Sequence, residues 1–344
     1  MAPTVRHVTP VLPEAADGLV AEVYRQAKAE LGITVGPPFM MLSPAPELLA
    51  PMWALLRESL LVGGPAERTA KEVVATTIAV KNACRFCADA HALMLHAAGE
   101  HELAEAVRDG GAPYAHADLA EWAAAPSLDG PFSASAAPRF IGTALVFEFI
   151  TRLVKVLAHN ASPHPVTATK LGRAVASRQV REAVAADLEP GLSLPLLDRR
   201  EPWLKGRWPT LDLTVPDWGG ASPVGRAYAH LRAVASCGRR LLDEQVAHSA
   251  EQAIERSVGW WGSQLVTGPI AVGGIEDLPD RAALGARLVA AAALDPGSID
   301  DDAVAVWRAG ALSDHSTVFV FGFAVMQAVD QMQSNLIEMG TIDA

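Results

Sequence analysis

The chain almost lacks the marks of a β protein: alternating apolar runs bounded by Asn-Gly or Asp-Gly turns are nearly absent. Cysteine is scarce, with 3 in 344 residues, which excludes a disulfide framework and points to a reducing, cytoplasmic setting. Positive charge is in deficit, 28 Lys and Arg against 39 Asp and Glu. The resulting −11 argues against a nucleic-acid binder, which needs a basic face to neutralise phosphates. The opening MAPTVRHVTPVLPEAADG lacks the apolar stretch behind a basic end that a secretory signal requires. The longest apolar run, Val318 to Val329, is about 12 residues, too short to cross a bilayer. There is no phosphate-binding P-loop, no Gly-x-Gly-x-x-Gly, no Gly-x-Ser-x-Gly and no His-Glu-x-x-His. Nucleotide-dependent, serine-hydrolase and zinc-protease chemistries therefore have no support.

Apolar residues, by contrast, make up 50% of the chain, enough for a sizeable core in two domains or one large duplicated unit. Their spacing is helical: Leu19, Val20, Val23, Tyr24 and Ala27 share one face of residues 14–31. Further helices are expected near Pro46–Leu61, from Thr69 through Glu72, over 101–109, 119–125 and 140–159. The predicted class is all-α. Residues 190–225, with six prolines and Trp203, Trp208 and Trp218, read as a connection ordered by its aromatics. This divides the chain into a first unit, 1–189, and a second, 226–344. The second resembles a worn copy of the first: 288–332 echoes 119–156, and 253–264 parallels 79–90. In that alignment Val258 stands opposite Cys84 and Trp261 opposite Cys87, so chemistry is expected in the first half only. Trp260 and Trp261 are read as core packing.

One stretch concentrates reactive side chains. In KEVVATTIAVKNACRFCADAHALMLHAAG (71–99), a helix from Cys84 at about 100° per residue gathers Cys84, Cys87 and His91 into an arc of about 60°. Arg85, Asp89 and His96 fall on a second arc, expected to face solvent. Phe86, Ala90, Leu93 and Ala97 form a third, apolar one. Asn82 is a candidate cap, which would place both thiols at the positive end of the helix, where a thiolate is stabilised. A C-x-x-C pair can close a disulfide. Two inert core cysteines, or half of a zinc site, are the other readings, and zinc would need about four ligands. His91, one turn past Cys87, suits a base or proton relay. Glu72 is the sole acid in EVVATTIAV and would either serve His91 or close a Thr69–Glu72 capping box.

The pattern E-x(11)-C-x-x-C-x-x-x-H, met by Glu72, Cys84, Cys87 and His91, resembles the alkylhydroperoxidase D-like branch of the carboxymuconolactone decarboxylase family. The lead-in FMMLSPAPELLAPMWALLRESLLVGG and the helix FEFITRLVKVL look like the same family, over residues 14–160. The resemblance implies an all-helical, oligomeric peroxidase acting on organic hydroperoxides. Cys87 would be the peroxidatic thiol, Cys84 the resolving one, and Glu72 and His91 the proton relay. A dithiol, in some members the lipoyl group of a partner protein, would return the electrons, with no bound cofactor or metal. The chain departs from the pattern at Phe86, where some members carry histidine, and in its length. The non-peroxidase alternative is a thiol-bearing binding module on the same scaffold.

Overall fold

The computed structural model describes residues 5–33, 35–159, 169–199, 210–258 and 270–340. Among them there is no strand, only one isolated bridge, Val5 to Ala158. The first half runs α1 (Gly18–Leu31), α2 (Pro37–Met40), α3 (Pro46–Leu56), α4 (Gly64–Lys81), α5 (Arg85–Ala97), α6 (His101–Arg108), α7 (Ala117–Ala124) and α8 (Ala137–Leu157). After α9 (Lys170–Ala176) and α10 (Arg181–Ala185) come α11 (Pro223–Ser236), α12 (Glu244–Ser257), α13 (Asp280–Leu294), α14 (Asp301–Arg308) and α15 (Asp314–Gly340). Among the described residues no helix is long and apolar enough to cross a membrane.

Two helices organise the rest. The chain from Phe140 to Leu157 is buried on nearly every side, and so is α15 from Val318 to Val329. A helix that is apolar all round has to be surrounded by others. Accordingly α8 packs on α3, α4, α11 and α15, and one buried cluster runs from Val5 to Leu336. Gly142 lets α8 close on α11: a Cβ there would stand 2.3 Å from Val224 and 3.0 Å from Ser59.

Several boundaries differ from those read in the sequence. α4 opens at Gly64, not Thr69, because Pro65 takes the first turn, where its missing N–H is no loss. Thr69 is then interior, its hydroxyl donating to the Pro65 carbonyl at 3.2 Å, and there is no capping box for Glu72 to close. The helix at Pro46 ends in a π turn at Arg57–Leu61, where the buried Arg57 reaches Glu30 and Glu58. In the second half α14 is interposed between α13 and α15, where the matching stretch of the first half has turns only. Val258 ends α12, whereas Cys84 opens α5. Trp261, like Trp203, Trp208 and Trp260, lies outside the described residues. Trp218 packs on Tyr228, ring centroids 5.4 Å apart.

Candidate active site

The redox pair sits where α4 turns into α5 through only three residues, Asn82, Ala83 and Cys84. At the end of α4 the Ala83 N–H reaches the Val80 carbonyl at 2.9 Å and the Cys84 N–H reaches that of Ala79 at 2.8 Å. These are the two reversed bonds of a Schellman ending, which needs a left-handed residue between them. Ala83 supplies it, at φ 51°. Cys84 then serves as the cap of α5, its Sγ accepting the Cys87 N–H at 3.4 Å. The cap is therefore Cys84 and not Asn82. With three residues between the helices, Asn82 is needed to finish the first one.

Asn82 has another task. Its side-chain amide donates to Glu148 Oε2 at 2.8 Å and Thr151 Oγ1 at 2.9 Å, tying the turn to α8. Glu148 is buried yet held ionised. Burial pushes its pKa up, but Lys81 and Arg152 outweigh this and bring it down to about 2. Arg152 continues to the Ala293 carbonyl on α13 at 3.0 Å, so the second half braces the same network.

Cys84 and Cys87 form a disulfide with their Cα atoms 5.4 Å apart, and are 1% and 4% exposed. One turn on, His91 Nδ1 lies 2.7 Å from Glu72 Oε2, and the edge of its ring meets Phe147 with centroids 4.6 Å apart. Glu72 is buried on α4, the helix that packs along α5. Its pKa is lowered: burial raises it, but Arg68 and then His91 prevail. The four residues singled out by spacing are thus assembled on two adjacent helices. A cavity of about 310 Å³ touches Cys84, bounded by Val80, Ala83, Arg85, Ala88 and Arg108.

The arc expected to face solvent does not. Arg85 is exposed, but Asp89 is buried against Arg108 at 2.6 Å. His96 is also fully buried, 2.7 Å from Glu105 and 2.8 Å from His101. The reason is α6, which folds back over this face and brings a partner for each polar group, so burial costs little. Phe86, Ala90 and Leu93 are in turn only half-buried.

Sequence reasoning missed Arg68, Asn82 as an anchor, and Glu148. Arg68 was findable: it lies four residues before Glu72, on the same helix face. Glu148 was not, because 66 residues separate it from Asn82. Among the described residues no group of three or more His, Cys, Asp or Glu is placed to hold a metal.

No family model matches the chain, and no solved structure does. The chain is 33% identical over 342 residues to a Mycobacterium tuberculosis protein named alkyl hydroperoxide reductase, an alignment covering 94% of this chain and 92% of that one.

Proposed function

This chain belongs to the alkylhydroperoxidase D-like family, and on that premise we propose that it is a cysteine peroxidase reducing organic hydroperoxides through a Cys84–Cys87 disulfide. The observation that carries the reading is a disulfide at the start of a helix, one turn from a histidine bound to a buried carboxylate at 2.7 Å. An inert pair of core cysteines would need no such neighbour.

In the reduced protein Cys87 gives its proton to the Glu72–His91 pair, and the positive end of α5 favours the thiolate. The thiolate attacks one peroxide oxygen, and the O–O bond breaks. The alcohol leaves with the returned proton, and Cys87 becomes a sulfenic acid. Cys84 attacks that sulfur, expels water and closes the disulfide. A dithiol then reduces the pair by two exchange steps and is itself oxidised. We take this donor to be a dithiol, such as the lipoyl group of a partner protein. The protein is proposed to act in the cytoplasm as a homo-oligomer, with residues 226–344 as a degenerate second unit bracing the first.

The test is peroxide-dependent closure of the dithiol, followed by mass spectrometry, together with turnover of an alkyl hydroperoxide supplied with a dithiol. Turnover is expected to vanish in both Cys84→Ser and Cys87→Ser. A Cys87→Ser protein with wild-type turnover would overturn the reading.

A further inference from the structure

One buried cation next to the relay has no part in the cycle above. Arg68 stands one turn before Glu72 on α4, is 2% exposed, and donates from Nε to Glu72 Oε1 at 2.7 Å. The other carboxylate oxygen faces His91 Nδ1 at the same distance. Each oxygen therefore has its own partner, and the carboxylate is clamped between them. An ionised carboxylate only accepts, so the proton of this contact sits on Nδ1, and a neutral ring then carries its lone pair on Nε2.

We propose that Arg68 is a positioning residue: it keeps Glu72 a carboxylate turned to His91 Nδ1, so that His91 Nε2, and not Glu72, receives the Cys87 proton. The peroxidase reading supplies the reaction on which this rests; the acid–base assignment concerns the reduced thiol itself. One S–H bond breaks, one N–H bond forms, and Glu72 keeps its charge throughout. Without the guanidinium, the buried carboxylate takes up a proton and donates to Nδ1 instead of accepting from it, which leaves the ring's own proton on Nε2. That removes the base.

Among the described residues, the charged partners of Glu72 are Arg68, on its own helix, and His91, from α5. The remaining charges on neighbouring elements are committed elsewhere. Glu67 serves Lys71 and Arg139, and Glu148 of α8 serves Lys81 and Arg152. On α5 and α6, Asp89 pairs with Arg108 and His96 with Glu105, while the π-turn Glu58 pairs with Arg57. On α7 and α10, Asp118, Glu121, Arg181 and Glu182 are exposed.

The experiment measures alkylation of Cys87 by iodoacetamide in the reduced protein across pH, located by mass spectrometry. In Arg68→Gln the midpoint is expected to rise by about one pH unit, an alkylation rate about tenfold lower on the acid side. Arg68→Lys, which restores the charge, is expected to stay within about half a unit of wild type. An unmoved midpoint in Arg68→Gln, or a lysine variant shifted as far as the glutamine one, would overturn the proposal. Should Arg68→Gln not fold, ¹⁵N resonances of His91 in the wild type decide: Nδ1 protonated and Nε2 bare support it, and the reverse tautomer sinks it. No peroxide enters these measurements. A protein showing the expected shift but no turnover would refute the peroxidase reading alone.

Discussion

Replacing Ala83 by glycine is expected to stabilise the protein, although Ala83 sits beside the redox pair. Ala83 holds φ at 51°, and the only other non-glycine residue among those described with positive φ is His7. In this region the Cβ of an L-residue crowds the following carbonyl, at a cost of about 1–2 kcal/mol. Glycine removes that crowding but leaves the unfolded chain freer by about 0.5–1 kcal/mol. The difference favours Ala83→Gly by about 0.5–1 kcal/mol, worth about 1–4 °C in Tm for a large domain. Both Schellman bonds survive, since each uses only backbone atoms. Ala83→Val should lose about 2 kcal/mol or more, because a β-branched side chain tolerates this conformation least. Urea unfolding of the disulfide-closed protein, with slopes compared to exclude a change in the unfolded state, measures both. A glycine variant less stable than wild type would refute the strained-turn account.

Other expectations follow from the same packing. Asn82→Ala removes two buried hydrogen bonds, one to an ionised carboxylate, and should cost about 2–4 kcal/mol in urea unfolding; a loss below about 1 kcal/mol would mean that α8 does not anchor the turn. Acid should destabilise the fold in a defined window. The folded pKa of Glu148 lies near 2 against an ordinary 4.5, so its contribution is complete above pH 4.5 and is lost as pH falls from there towards 2. Glu72 acts in the same direction. Glu148→Gln should flatten that part of a stability–pH curve, and an unchanged slope would contradict the assignment. Gly142→Ala should cost about 1–3 kcal/mol by thermal melting, because the new methyl meets Val224 and Ser59 at 2.3 and 3.0 Å; a neutral substitution would show that α8 and α11 separate easily.

The spacing of Cys84, Cys87 and His91 could be read directly because a helix turns three nearby residues into one line, and three nearby residues carry the whole signal. Glu72 was harder: its choice between a capping box and His91 depended on where α4 begins, and Pro65 moved that start five residues upstream of the expected Thr69. Asp89 and His96 were misplaced for a related reason. Their polarity suggested water, but the partners that allow their burial, Arg108 and Glu105, arrive on the next helix.

Local periodicity thus determined, without any coordinates, that the chain is helical and that two sulfurs and an imidazole share a face. Tertiary structure alone decided that Glu72 meets the imidazole, that Arg68 clamps Glu72, and that Asn82 and Glu148 fix the turn between the two helices. Repetition every three or four residues is written along the chain. A contact across 66 residues depends on how whole helices pack, which no short window of sequence contains.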